Sequence, residues 1–374
     1  MSTIELSRLR RLVIKIGSSL LIDDNNRLNR KWLDSLALDI AQLRKAGHQV
    51  LVVTSGAVAI GSPILGVNPR RARLESLQAA AAAGQVQLVH AYQEALARHE
   101  IKVAQVLLTP DDTELKRRFL NARNTLEKLL EHDVVPVINE NDTVATDELR
   151  YGDNDRLAAR VAQTVMADGL ILLSDVDGFY TADPRNDPDA EYLDVVDSIS
   201  DEHMRMAGVS GSAVGSGGMN TKLQAARIAT HAGCVTVIAS GAIQRPLDAL
   251  FGGARHTVFP AAATPAAARK QWLAGRLEVS GRLRLDSGAA VALLNGKSLL
   301  PVGLADVTGE FRRGDAVLLI GENGEELGRG LAAYSSAEAT AIKGCRSEQI
   351  EAILGYRGRS VMVHRDDMVL FEKK

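Results

Sequence analysis

A lysine stands inside the apolar run Leu12-Val13-Ile14-Lys15-Ile16, directly before Gly17-Ser18-Ser19. An ammonium is costly to bury unless an anion meets it. Two readings are open. The group contacts a phosphate, helped by the Gly17 and Ser18 amides, or it snorkels to water from a strand end. A second lysine closes the glycine-rich loop Gly215-Ser216-Gly217-Gly218-Met219-Asn220-Thr221-Lys222. Glycines let backbone N–H groups converge on an anion, and the start of a following helix adds partial positive charge; such loops also serve as plain turns. The order is not that of a Walker loop, because Thr221 precedes Lys222 and no glycine stands directly before the lysine. No GxGxxG follows the first strand. A P-loop NTPase and a nicotinamide dehydrogenase both lose ground.

The third candidate is acidic. Val137–Asp155 holds six acids (Glu140, Asp142, Asp147, Glu148, Asp153, Asp155) against one base, Arg150. It follows an apolar run and precedes a helical pattern, where open α/β sheets place their ligands. Taken alone it is a solvated hairpin, a metal cage or a cradle for an amine-bearing substrate. Taken with the two lysines it suits phosphoryl transfer, which needs positioning and positive charge more than covalent chemistry. One carboxylate from Gly152-Asp153-Asn154-Asp155 can hold both ammoniums. No histidine or cysteine stands in a nucleophile constellation, so direct in-line transfer is the simplest route.

The elements that must position these groups alternate. Strand-like runs at 12–16, 50–53, 103–108, 134–138, 170–173 and 235–239 are separated by helical spacings, as in Leu33, Leu36, Ile40 and Leu43. Most runs are continuously apolar, the pattern of a largely parallel sheet covered on both faces. Run after run ends in Gly, Ser, Thr, Asp or Asn, so polar loops collect along one sheet edge. Near residue 255 the pattern changes to short alternating segments, with Asn295-Gly296 and Asn323-Gly324 as hairpin-turn signals. The division expected is 1–255, a linker over 256–275 and a small β-barrel-like domain over 276–374.

Totals narrow the classes. The chain has 374 residues, 46% hydrophobic, and a net charge of −2, against a role in coating nucleic acid or anionic membrane. Cys234 and Cys345 lack CxxC partners, which disfavours a zinc site or disulfide framework and suits a reducing compartment. Lys15 interrupts the only apolar core near the N-terminus, and no stretch approaches the ~20 residues of a membrane span. A cytoplasmic protein is expected, without membrane partners.

Six ordered blocks together resemble the amino acid kinase family. They are VIKIGSSL (13–20), VVTSGAVAIG (52–61), RNTLEKLLEHDVVPVINENDTV (123–144), YGDNDRLAARVA (151–162), LLSDVDGFYTADPR (172–185) and GSGGMNTKLQAA (215–226). The tail, in SLLPVGLADVTGEF (298–311) and ILGYRGRSVMVHRDDMVL (353–370), resembles a PUA domain. The resemblance implies a three-layer αβα sandwich and, within the family, the branch that phosphorylates the γ-carboxylate of L-glutamate with ATP and Mg²⁺ on the route to proline. By position it implies that Lys15 and Lys222 contact the ATP phosphates while Asp155 orients both. Ser55, Asp142 and Asn154 hold glutamate, with Asp142 accepting the α-ammonium. Ser174 and Asp175 line the nucleotide pocket, and Ser216, Gly217, Gly218, Met219, Asn220, Thr221 and Lys222 follow the phosphates. It names no protein ligand for Mg²⁺, which is expected to be held mostly by phosphate oxygens and water, and it implies feedback inhibition by proline and a homo-oligomer, a dimer or tetramer. Ser216 stands where threonine is common, and Ile60 where a small residue is usual. PUA domains often bind RNA, yet residues 275–374 hold 14 Lys+Arg and 14 Asp+Glu. That balance disfavours an RNA footprint and leaves a structural or regulatory role.

Overall fold

The computed structural model describes residues 5–23, 27–144, 154–208, 218–275 and 279–371. They divide between Pro265 and Ala266 into two compact units. The first unit runs β1 (Arg11–Ile16), α1 (Ser18–Leu21), α2 (Arg30–Lys45), β2 (Gln49–Val53), α3 (Ala57–Leu65), α4 (Leu74–Ala97), β3 (Lys102–Leu108). It continues through α5 (Pro110–Glu114), α6 (Lys116–Glu131), β4 (Val134–Glu140), α7 (Asn154–Thr164) and β5 (Gly169–Ser174). A small hairpin, β6 (Phe179–Tyr180) and β7 (Tyr192–Leu193), leads to α8 (Asp201–Met206), α9 (Met219–His231), β8 (Val235–Ser240), α10 (Pro246–Phe251) and β9 (His256–Phe259).

Seven of these strands form one sheet in the order β3-β4-β2-β1-β5-β8-β9. All neighbours are parallel except β8 and β9. Alternate side chains of each strand enter different cores, as the two-residue period requires. Leu12, Ile14, Val50, Val52, Ile171 and Leu173 pack with α2 and α4, whereas Val13, Leu51, Ile138, Leu170 and Leu172 pack with α6, α7 and α9. The sheet is therefore the middle of three layers. Six of its strands are the six apolar runs of the sequence. The seventh, β9, falls in the stretch expected as a linker, and residues 256–275 hold that strand and the helix Pro265–Gly275. Its antiparallel pairing covers the edge of β8, which an exposed ladder would leave open.

Two helices cross with no space between backbones. A Cβ on Gly61 of α3 would lie 1.8 Å from the Ala80 carbonyl oxygen, and one on Gly84 of α4 would lie 1.9 Å from that of Ala57. Only glycine permits this approach. It pins α4 beside the ends of β2 and β4.

The second unit holds α11 (Pro265–Gly275), β10 (Val279–Leu285), α12 (Ser287–Leu294), β11 (Leu304–Gly309), β12 (Ala316–Ile320), β13 (Glu326–Leu331), α13 (Ser336–Ile342), α14 (Ile350–Leu354) and β14 (Met368–Leu370). Its sheet order is β11-β10-β12-β13-β14, with only β10 and β12 parallel. Leu283, Leu285, Val317, Leu319, Tyr334 and Met362 lie in its core. Asn323-Gly324 turns between β12 and β13 as expected, with Gly324 at φ 85°. Asn295-Gly296 does not make a hairpin. Asn295 caps the C-terminus of α12, and Gly296 follows at φ 73°. Asn-Gly serves a helix end as readily as a hairpin because both need left-handed backbone. The decisive signal lay upstream, where the Asp286 side chain accepts from the Ala289 N–H at 2.6 Å and starts the helix.

Candidate active site

In a parallel sheet every strand delivers its C-terminal end to the same edge. Lys15 is the penultimate residue of β1, Ser55 follows β2, Asp142 follows β4 and Ser174 ends β5. Lys15 shares the face of Val13, so its side chain enters the layer of α7 and α9 rather than that of α2 and α4. There its Nζ stands 2.6 Å from Asp155 Oδ1. Lys222 Nζ, from the first turn of α9, stands 3.1 Å from the other oxygen, Oδ2. Asp155 is 0% exposed, Lys15 4% and Lys222 5%. The three charges sum to +1 in a setting where each is largely stripped of water. Charges in such a setting act strongly on a bound anion.

The helices are arranged to keep this cluster in place. Asp155 lies in the first turn of α7, where a carboxylate suits the helix dipole. Thr221 Oγ1 is 3.3 Å from Asp155 Oδ2 and 2.7 Å from the Gly218 carbonyl. Gly218 is the N-cap of α9, so Met219, Asn220 and Thr221 bring the first backbone N–H groups of that helix beside Lys222. Ser216 and Gly217 lie outside the described residues, as do residues 145–153 of the acidic stretch.

Asn154 precedes Asp155 and is buried. Its Nδ2 donates to the Thr54 carbonyl and, at 2.8 Å, to Asn139 Oδ1. Asn139 Nδ2 donates in turn to Gln85 Oε1 at 2.7 Å. Thr54 Oγ1 and the Tyr92 hydroxyl are 3.0 Å apart. Burial pushes the Tyr92 phenol well above its ordinary pKa, so it stays neutral. Ser55, next along, donates its hydroxyl to the Ile16 carbonyl at 3.1 Å. Asp142 lines a cleft of about 250 Å³ together with Gln85, Glu140 and Asn141. On the far side of β1, Ser174 Oγ donates to Asp175 Oδ1 at 3.0 Å, and Arg185 reaches Asp175 Oδ2 at 3.3 Å. Among the described residues no group of three or more His, Cys, Asp or Glu is placed to hold a metal ion.

A family model described as the amino acid kinase family matches residues 10–240, and one for the PUA domain matches 281–354. A glutamate 5-kinase of Paramagnetospirillum magneticum is 56% identical over 98% of this chain and 99% of its own length. Glutamate 5-kinases of Rhizobium rhizogenes and Brucella abortus strain S19 are each 53% identical, covering 98% and 96% of this chain and 94% and 96% of their own. The chain belongs to the amino acid kinase family, within its glutamate 5-kinase group.

In this amino acid kinase, Lys15, Asp155 and Lys222 meet directly, and Asn154 joins them through its neighbour Asp155. Asp142 is reached by a different path, through the cleft it shares with Gln85. Gln85, Tyr92 and Asn139 were not singled out from the sequence. One signal was available in α4. Ala81, Gln85, Leu88 and Tyr92 fall on one helical face, and a glutamine inside that buried stripe of an amino acid kinase needs a partner.

Proposed function

We propose that the protein transfers the γ-phosphoryl group of ATP to the side-chain carboxylate of L-glutamate, giving L-glutamyl 5-phosphate on the route to proline. The observation that carries this is the buried Lys15–Asp155–Lys222 cluster at the C-terminal edge of the sheet. The names of the full-length relatives supply the substrate.

Transfer runs in line. A γ-carboxylate oxygen forms a bond to the γ-phosphorus as the bond to the β–γ bridging oxygen breaks, and ADP departs with that electron pair. No base is required, because a glutamate side chain with an ordinary pKa of about 4.3 is already ionised at neutral pH. Lys222 and Lys15 sit against charge that grows on the transferring and leaving oxygens, and Asp155 keeps both ammoniums aimed. Ser216 to Lys222 follow the phosphates, while Ser174 and Asp175 line the nucleotide pocket. Ser55, Asp142 and Asn154 hold glutamate. Mg²⁺ would accompany ATP, held mostly by phosphate oxygens and water, and would offset phosphate charge beside Lys15 and Lys222. The kinase region is the first unit, β9 included, and the PUA region lies in the second. Proline competes near the glutamate site, and the enzyme works as a homo-oligomer in the cytoplasm. No helix among the described residues is long and apolar enough to cross a membrane.

Trapping the acyl phosphate with hydroxylamine tests the reading. ATP is supplied with glutamate, aspartate or N-acetylglutamate. Hydroxamate is expected with glutamate foremost; its absence there removes the proposal.

A further inference from the structure

Asn154 has its amide nitrogen between two acceptors, the Thr54 carbonyl and Asn139 Oδ1. A backbone carbonyl can only accept. The Thr54 contact therefore decides which end of the Asn154 amide is nitrogen, a choice that amide shape alone leaves open. The rest follows in sequence. Asn139 turns its oxygen to Asn154 and its nitrogen away, and Gln85 meets that nitrogen with Oε1. Both N–H bonds of Asn154 are committed to the protein. What its side chain has left is Oδ1, which only accepts.

We infer that Gln85 of α4 is a positioning residue that acts through Asn139 to hold Asn154 with its Oδ1 presented to the α-ammonium of an amino-acid substrate. The inference rests on the functional reading above and adds to it the origin of selectivity for a donor at that point. Two further observations support it. Gln85 gives its oxygen to Asn139 although its own Nε2 is buried with no hydrogen-bond partner among the described residues. A glutamine present only for packing would turn to satisfy its nitrogen, but Asn139 faces it with a donor. Moreover, Gly84 locks α4 against the Ala57 carbonyl one residue earlier, so Gln85 cannot drift from β4. Tyr92 steadies the other end of the relay through the Thr54 hydroxyl.

The test uses the full chain and two substitutions. Gln85→Met keeps the length and removes the acceptor. Gln85→Glu keeps an acceptor oxygen facing Asn139. Glutamate KM, kcat, ATP KM and thermal midpoint are measured for each, with glutarate, which lacks the ammonium, as a competing ligand. Gln85→Met is expected to raise glutamate KM about tenfold, the size of one hydrogen bond to a charged group. Its kcat should stay within about twofold, ATP KM should not move, and the preference for glutamate over glutarate should shrink. Gln85→Glu recovers most of the loss. An unmoved glutamate KM in folded Gln85→Met overturns the inference, as does a loss confined to kcat or an equal loss in both variants. Should Gln85→Met fail to fold, Gln85→Glu decides alone: a small change in KM supports the relay and a tenfold rise overturns it. The parent's substrate panel is read first. No glutamate-dependent product fails the functional reading, and the variants are then run on whichever acid with a free α-ammonium turns over. Turnover of none overturns this inference too.

Discussion

Lys15 and Lys222 approach one carboxylate from different elements, and each uses a different oxygen of Asp155. An aspartate so placed fixes two cations side by side, and under the proposed function it holds them for a phosphoryl group. Lys222→Ala is expected to lower kcat by roughly 10²-fold, as loss of a preorganised charge contact does. Asp155→Asn, which preserves shape but not charge, should fall about as far, because both lysines lose their anchor. Steady-state kinetics on folded protein checks both, and a near-normal rate in either removes the assigned role. Asp142→Ala belongs to a different part of the site. It is expected to raise glutamate KM by about 10- to 100-fold while kcat changes less, and an unchanged KM would detach Asp142 from the substrate.

The helices set these positions, and their own constraints can be tested. α3 and α4 cross on Gly61 and Gly84 with backbone against backbone. Gly84→Ala would force the helices apart and is expected to destabilise the first unit by about 1–3 kcal/mol, read as a lower denaturant midpoint. Because Gln85 is next in sequence, glutamate KM should rise in the same variant. In the second unit, α13 is held by a reciprocal cap. Ser335 N and Oγ both donate to Glu338 Oε2 at 2.8 Å, and the Tyr356 hydroxyl donates to Oε1 at 2.8 Å. Burial alone would raise the Glu338 pKa, but the bonds from Ser335 and then Tyr356 hold it below its ordinary value. A lowered folded pKa means that this stability is present above about pH 4.3, the ordinary glutamate value, and fades as pH falls through the folded value. Thermal melts of Glu338→Gln against the parent should therefore differ at neutral pH and converge in acid.

At the scale of the whole chain, each unit has its own sheet and its own hydrophobic core. The chemistry proposed lies within the first. In the second, residues 275–374 hold acids and bases in equal number, which argues against electrostatic capture of RNA, whose affinity rests on neutralising phosphates. Filter binding at about 0.15 M salt is expected to detect no tight, salt-sensitive complex with structured RNA. A complex that weakens steeply with added salt would show that the basic residues gather on one face.

The family resemblance singled out Asp155 over Asp153; the residue pattern by itself marked the layered α/β fold, the edge on which the loops gather and the two candidate lysines. Each of these is local or periodic. Apolar runs ending in small polar residues mark parallel strands, and a lysine within such a run either meets an anion or reaches water. A small β-rich second domain was legible in the same way, and its PUA character from resemblance, apart from Asn295-Gly296, whose left-handed backbone serves a helix end and a hairpin alike. Tertiary structure alone decided which oxygen of Asp155 each lysine takes, and that β9 belongs to the sheet. It alone connected Gln85 to Asn139, Asn154 and Thr54, residues up to 100 positions apart. A hydrogen-bond relay depends on where side chains meet once helices have packed, and the glycines that let α4 approach so closely mark that crossing only after the backbones are in place.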